Sequence, residues 1–229
     1  MEARGPYDQW QRAGVDVWDR SNWNAADRCG VSYTGLDYCQ NQINQFQNKL
    51  RSLNREARLV FGDARSFDLH ESFDLVFIGF SSLSEVVDNR DKIKVLQRIR
   101  SHLKPSGRFT FSLHNPVVRN LRLNQEHVFD IHDGSRTLEF YGRFQPPSSA
   151  GIVSGTQRYV IKDREGHTLE DRELDLTFHL IPKDEIKTLL ATTGFRVEEL
   201  WGDYDRSKFI ESNPYMIYRC SIDTGSEVD

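Results

Sequence analysis

The sequence predicts an α/β fold with a mostly parallel sheet, followed by a smaller antiparallel β section. Short apolar segments alternate with amphipathic helical segments between residues 31 and 116. This alternation is typical of parallel strands joined by right-handed helical crossovers. Across residues 136–180, strand-like segments follow one another without a helix. That second region should therefore be antiparallel.

The predicted elements of the parallel section follow from local periodicity. Ile43, Phe46 and Leu50 recur at helical spacing, whereas Phe73–Gly79 is almost continuously apolar, as in a strand covered on both faces. Lys104–Gly107 predicts the end of a helix. In chain order, the elements are a strand Val31–Asp37, a helix Gln40–Leu53, a strand Arg58–Asp63, a strand Phe73–Gly79, a helix Asp91–Leu103 and a strand Arg108–Leu113.

Turn signals divide the remainder of the chain. Pro146–Ser149 and Asp163–Gly166 separate strand-like segments, and Gly194 follows a helical segment. The predicted elements are strands Thr137–Phe144, Gly155–Lys162 and Glu173–Leu180, a helix Lys183–Thr193, and a final strand pair Arg196–Trp201 and Tyr215–Ile222.

Bulk composition excludes several classes of protein. The chain has 229 residues, of which 38% are hydrophobic and 28% charged, as in an ordinary soluble domain with room for an insertion. The net charge of −4 argues against a nucleic-acid partner. No apolar run is long enough for a membrane span, and the N-terminus lacks the apolar core of a signal peptide. Three dispersed cysteines form no disulfide framework or zinc motif, which favours a cytoplasmic protein.

Two predicted strands end in a glycine and a carboxylate. Val31-Ser-Tyr-Thr-Gly-Leu-Asp37 and Ala57-Arg-Leu-Val-Phe-Gly-Asp63 are separated by one helix. Ligands of open parallel sheets bind outside the carboxyl ends of the strands. Because a carboxylate there can accept hydrogen bonds from ribose hydroxyls or an adenine amine, the pattern predicts a nucleoside pocket. The alternative is that both carboxylates are ordinary polar residues at strand ends, without a binding role.

Four ordered motifs resemble class I S-adenosylmethionine-dependent methyltransferases. They are Gly35-Leu36-Asp37-Tyr38, Gly62-Asp63-Ala64-Arg65, Phe73-Asp74-Leu75-Val76 and Leu103-Lys104-Pro105-Ser106-Gly107-Arg108-Phe109. The resemblance implies a Rossmann-like methyltransferase sheet that is mostly parallel, with a C-terminal antiparallel hairpin and a small antiparallel β insertion. It divides the chain into an N-terminal lid or degenerate first motif (1–30), a core (31–116 and 183–222) and an insertion over the acceptor (117–182).

The resemblance also implies roles for individual residues. Asp37 would hold the ribose hydroxyls of S-adenosylmethionine, Tyr38 would lie against the adenine, and Asp63 and Ala64 would contact the adenine ring. Phe80 and Ser81 would wall the pocket near the methionine moiety. The acceptor-binding residues implied are Tyr7, Trp10, Tyr141, Phe144, Tyr159 and His179.

Histidines supply the remaining candidates. His114 follows the Arg108–Leu113 strand, where it would take a proton from an acceptor, orient the acceptor by a hydrogen bond, or be a surface residue without a role. His179 also has a structural interpretation. His127 and His132 lie near Asp130 and Asp133, but their spacing matches no common metal-ligand set, so we predict a solvated loop and no metal.

The glycine-rich first motif of the family is missing or degenerate. Either Gly14–Trp18 is a degenerate first strand, or the segment beginning Tyr7-Asp-Gln-Trp10 is a lid helix and the first strand is absent. Loss of that central strand would favour a homodimer that borrows a strand.

Three functions are compatible with these patterns. The leading prediction is methyl transfer to a small-molecule acceptor. The second is a catalytically inactive methyltransferase-like protein that acts as a binding partner or regulatory subunit. The third, a nicotinamide-dependent oxidoreductase, is weaker because that class needs its own glycine loop.

Overall fold

The computed structural model describes residues 32–120, 123 and 127–225, and these form three sheets with flanking helices. In chain order the elements are β1 Thr34–Asp37, α1 Gln40–Ser52, β2 Arg58–Phe61, β3 Phe73–Ile78, a 3-10 helix Ser82–Glu85, α2 Asn89–Ser101, β4 Leu103–His114, α3 Pro116–Asn120, β5 His127–His132, β6 Thr137–Phe144, β7 Ile152–Lys162, β8 Thr168–His179, α4 Lys183–Thr192, β9 Phe195–Trp201 and β10 Tyr215–Ile222. The predicted fold class is confirmed.

The parallel section is divided between two sheets. Strands β1 and β2 pair in parallel as one sheet, and the other has the order β3-β4-β10-β9. Strands β3 and β4 are parallel, whereas β10 is antiparallel to both β4 and β9, as predicted for the C-terminal hairpin. The two sheets share one core, to which β1 contributes Leu36 and β3 contributes Ile78.

No strand among the described residues joins β1 to β3. Both interpretations of the first motif, the strand Gly14–Trp18 and the lid helix beginning at Tyr7, lie outside the described residues. The homodimer that depends on them stays a prediction.

The core of the second sheet is aromatic. Phe109, Phe111 and Leu113 alternate along one face of β4 and are each at most 1% exposed. The Phe111 ring stacks on Tyr218 of β10 with centroids 5.0 Å apart, and on Phe109 at 4.9 Å. Large aromatic surfaces packed in this way dominate core energetics, so β4 and β10 form the rigid centre of the fold.

Strand β4 begins five residues earlier than the sequence predicted. The segment Lys104–Gly107, expected to be a loop, runs beside β3, because Phe73 pairs with Leu103 and a register shift follows. Gly107 permits this approach: a Cβ there would lie 2.9 Å from the carbonyl oxygens of Lys104 and Phe73. Backbone pairing across the sheet thus overrides the local turn signal.

The antiparallel section forms a separate sheet with the order β5-β6-β7-β8. Its apolar end packs into a second cluster that includes Phe144, Val153 and Phe178. Strand β5 was not predicted, and the solvated loop expected around His127 and His132 is wrong. Its six residues are all exposed, so β5 lacks the buried alternation from which a strand can be recognised.

None of the described helices is long and apolar enough to cross a membrane. The longest helices, α1 and α2, have 13 residues each and carry many polar side chains.

Candidate functional site

Strands β1 and β2 bring the two predicted carboxylates to one sheet edge. Asp37 pairs with Phe61 in the parallel register, and the Gly62 amide donates to the Asp37 carbonyl oxygen at 2.9 Å. Asp63 therefore follows directly beyond the end of the ladder. This edge is where a doubly wound sheet binds its ligand.

The Asp37 carboxylate is half-buried and has no cationic partner among the described residues. Its Oδ1 accepts the Cys39 amide at 2.6 Å, which orients the side chain at the start of α1. Burial raises the pKa of Asp37, and the Cys39 hydrogen bond offsets only part of that shift. Tyr38 is 40% exposed beside it. Asp37 thus retains acceptor capacity for hydroxyl groups of a ligand.

Asp63 is already engaged by a cation. The Arg65 Nε lies 3.0 Å from both Asp63 oxygens, and Arg65 Nη1 reaches Asp91 Oδ2 at 2.8 Å. The side-chain hydrogen bond from Arg65 is the main cause that lowers the pKa of Asp63. Ala64 packs against the core. Adenine binding by Asp63 stays a prediction. It requires the Asp63 carboxylate either to accept a hydrogen bond from adenine in addition to those from Arg65, or to release Arg65.

We predict that Arg65→Ala raises the pKa of Asp63 toward its ordinary value. Because the lowered pKa contributes stability that is present above the unfolded pKa and lost as pH falls, the variant should lose stability at neutral pH. The pair is exposed, so the loss should not exceed about 1 kcal/mol. An NMR titration of the Asp63 carboxyl carbon measures the shift, and an unchanged pKa would contradict it. Lys94→Ala, which removes a cation from Asp91 alone, is the control.

The loop after β3 adopts a strained backbone. Phe80 and Ser81 have φ values of 49° and 61°, in the left-handed region that non-glycine residues seldom occupy. Ser81 is buried, and its Oγ has no hydrogen-bond partner among the described residues, whereas Phe80 is 40% exposed. Strain of this kind clusters at ligand sites, so the geometry supports the predicted place of these two residues beside a ligand.

His114 ends β4 within an aromatic group. Its ring centroid lies 5.5 Å from that of Tyr215, and Tyr204 lies 5.7 Å from Tyr215. Asn115 holds the adjoining loop, because its Nδ2 donates to the carbonyl oxygens of Glu211 and Asn213, both at 2.8 Å. The sequence did not identify Tyr215 as a site residue, since it is the antiparallel pairing of β10 with β4 that places it opposite His114.

The predicted acceptor residues of the antiparallel sheet do not converge. Tyr159 pairs with Phe140 across β6 and β7, so the neighbouring Tyr141 points to the opposite face. Tyr141 donates to Glu139 there, whereas Phe144 is buried against Phe178. Tyr141 and Tyr159 therefore lie on opposite faces of the sheet, and the acceptor-binding role of each stays a prediction.

The remaining predicted residues divide into two groups. His179 is buried, and its Nδ1 lies 3.0 Å from the Nζ of Lys92, a buried lysine that the sequence analysis did not single out. The burial of Lys92 has one signal in the sequence, which is that this lysine occupies an apolar position of the helical pattern. Tyr7 and Trp10 lie outside the described residues.

Comparison with known proteins finds similarity to methyltransferases over part of the sequence and in the fold. A family model described as a methyltransferase domain matches residues 21–107. No curated protein matches the sequence significantly. Among solved structures, an S-adenosylmethionine-dependent methyltransferase from Clostridium acetobutylicum superposes with a TM-score of 0.74 at 18% identity, covering 92% of this chain and 81% of that one.

Two further structures have similar folds. The CcbJ methyltransferase from Streptomyces caelestis gives a TM-score of 0.71 at 18% identity, over 87% of this chain and 78% of its own. CalS10, an amino pentose methyltransferase from Micromonospora echinaspora solved with bound S-adenosylmethionine, gives 0.65 at 16% identity, with the same coverage. At these identities the likeness establishes the shared fold.

Proposed function

We propose that the chain is a class I S-adenosylmethionine-dependent methyltransferase and that it methylates a small-molecule acceptor. The observation that carries the assignment to the site is the Asp37 carboxylate. It ends β1, it is half-buried, and no described cation neutralises it. A partly buried carboxyl group with a raised pKa at a sheet edge is a candidate for a functional site.

The described residues fit the cofactor. Asp37 would accept hydrogen bonds from the ribose hydroxyls, and the left-handed Phe80–Ser81 segment would lie against the methionine part. The unpartnered Ser81 Oγ is a buried polar atom that a ligand group could satisfy. When bound, S-adenosylmethionine supplies the electrophilic methyl group through its sulfonium.

The acceptor would approach from the end of β4. There His114, Tyr204 and Tyr215 form the aromatic group described above. Tyrosine faces attract cationic or electron-poor groups, and His114 is placed to hold or take a proton from an acceptor nitrogen or oxygen. The β5–β8 sheet would cover the acceptor and exclude water. CalS10 acts on an amino pentose, so an amino sugar is a reasonable first acceptor to test.

Calorimetric titration with S-adenosylmethionine and S-adenosylhomocysteine tests the proposal. We expect a dissociation constant in the micromolar range, which corresponds to about −8 kcal/mol. An acceptor screen with amino sugars should then show turnover by release of S-adenosylhomocysteine. Absence of binding to the folded chain would contradict the proposal and favour the catalytically inactive partner protein.

A further inference from the structure

Lys92 places an ammonium group in the interior of the protein. It lies in the first turn of α2 and is 0% exposed. Its Nζ donates to the Val87 carbonyl oxygen at 2.8 Å and to Asn89 Oδ1 at 3.0 Å, and it lies 3.0 Å from His179 Nδ1. The three contacts satisfy the three N–H donors of a charged lysine.

The geometry fixes the tautomer of His179. Since a protonated lysine only donates, Nδ1 must accept, and the ring proton must be on Nε2. That nitrogen is buried without a hydrogen-bond partner among the described residues, and the nearest carboxylate oxygen, Glu185 Oε2, is 3.8 Å away. Gly151 closes the other side, because a Cβ there would lie 3.1 Å from Nε2.

These contacts converge on the loop after β3. Val87 follows the 3-10 helix Ser82–Glu85, and β8 packs against that helix. Within the loop, the Ser82 amide donates to the Gly79 carbonyl oxygen and the Ser84 amide to that of Ser81. One ammonium therefore joins α2, the last residue of β8 and the C-terminal end of a loop that begins with a strained backbone.

We propose that Lys92 and His179 form a proton-sensitive clamp that holds the Phe80–Val87 loop in its binding conformation. Protonation of His179 would place an N–H donor opposite the Lys92 ammonium, so the two like charges would separate and the loop would loosen. Lys92 and His179 are thus positioning residues. Their effect on cofactor affinity rests on the proposed function, in which this loop contacts S-adenosylmethionine.

The surroundings of His179 disfavour its protonation in the clamped state. Burial is the largest cause that lowers the pKa of His179, followed by the charge of Lys92, and Glu185 on α4 opposes both. Burial also lowers the pKa of Lys92 to about 8, against the raising effects of Glu185 and Asp88. Lys92 is therefore still protonated at neutral pH.

The sign follows from linkage. The histidine with a lowered pKa binds a proton more weakly in the clamped state than in the open state. The clamp is therefore strongest between the ordinary histidine pKa of 6.5 and the Lys92 pKa of about 8, and it weakens as pH falls below 6.5.

Hydrogen exchange at residues 79–87 tests the clamp without any cofactor. Exchange in the wild-type protein is compared at pH about 7.5 and about 5.5, after correction for its intrinsic pH dependence. The corrected rate should rise by up to about tenfold at the lower pH, because one pH unit below the open-state pKa of His179 shifts the ratio of open to clamped loop by up to about tenfold. His179→Asn retains an acceptor near the Nδ1 position and cannot titrate, so its corrected exchange should not change with pH.

His102→Gln is the matched control: His102 is also buried, and its Nε2 accepts the Leu69 amide at 3.0 Å. This variant should respond to pH as wild type does.

Lys92→Met supplies an independent arm should His179→Asn fail to fold. It removes the donor that holds Val87, so the loop should exchange rapidly at both pH values. A wild-type loop whose corrected exchange is independent of pH would overturn the clamp. So would a His179→Asn variant that retains the wild-type response.

Binding of S-adenosylhomocysteine then links the clamp to function. Wild-type affinity should fall by up to about tenfold over the same pH range, and the affinity of His179→Asn should stay constant. Failure of the proposed function would appear as no binding at any pH, while the exchange result would still decide whether the clamp exists. If the loop loosens as the pH falls but the affinity for S-adenosylhomocysteine does not change, the proposed effect of the clamp on affinity is overturned.

Discussion

Asp37→Ala should weaken binding of S-adenosylhomocysteine at least 100-fold without unfolding the protein. A hydrogen bond to a charged acceptor contributes about 1.5–3 kcal/mol, and the carboxylate would accept two ribose hydroxyls, so a loss of about 3 kcal/mol or more is expected. Calorimetry measures the affinity. Asp37→Asn keeps one acceptor oxygen and should lose less.

Loss of the Asp37 charge should weaken binding, but it should not lower the stability of the fold. Because burial raises the pKa of Asp37 above its unfolded value, this group stabilises the fold below the unfolded pKa, and that contribution is lost as pH rises through the folded pKa. Above the folded pKa the ionised carboxylate therefore costs stability. Asp37→Asn, which retains an acceptor for the Cys39 amide, should melt at the wild-type temperature or above it.

Asp74→Ala is the matched control. The Asp74 side chain is 82% exposed and pairs with Lys104 at 2.8 Å on the surface. This variant should bind S-adenosylhomocysteine with wild-type affinity. Equal binding by the Asp37→Ala and wild-type proteins would contradict the assignment of Asp37.

Phe111→Ala should cause the largest loss of stability among the substitutions considered. The ring is 1% exposed and lies between Phe109 and Tyr218 in the centre of the second sheet. Deleting a buried phenylalanine side chain typically costs about 3–5 kcal/mol, which corresponds to a fall in Tm of roughly 10 °C for a chain of this length. Chemical denaturation measures the free energy of unfolding directly.

Phe129→Ala provides the comparison for this prediction. Phe129 is 43% exposed on β5 and contacts Phe140 at 4.9 Å between centroids. Removal of a partly exposed ring should cost about 1 kcal/mol. A cost for Phe129→Ala that equals or exceeds that of Phe111→Ala would show that the second sheet is not the centre of stability.

The comparison of predicted and observed elements separates strong local signals from weak ones. Helix α1 and strand β6 were predicted within a residue of their bounds, because apolar periodicity and turn residues act locally. Strand β5 was missed because neither of its faces is buried. The start of β4 was misplaced because Lys104–Gly107 pairs with β3, and turn chemistry alone cannot anticipate that pairing.

The candidate site divides in the same way. Asp37 and Asp63 were placed at one sheet edge from sequence, since parallel strands bring their carboxyl ends together. The ion pair of Arg65 with Asp91 joins residues 26 positions apart and was not predictable from local pattern. The family resemblance implied an acceptor-binding role for both Tyr141 and Tyr159, whereas the register of β6 on β7, which local pattern does not reveal, places them on opposite faces.

The sequence by itself determined the fold class, the family resemblance and the edge at which the carboxylates lie, because these depend on short-range periodicity and ordered motifs. Only the tertiary structure decided which charged groups are neutralised and which are buried. The contact of Lys92 with His179 spans 87 positions. It exists because α2, the end of β8 and α4 pack together and exclude water, and the direction of the pKa shifts of both residues follows from that packing.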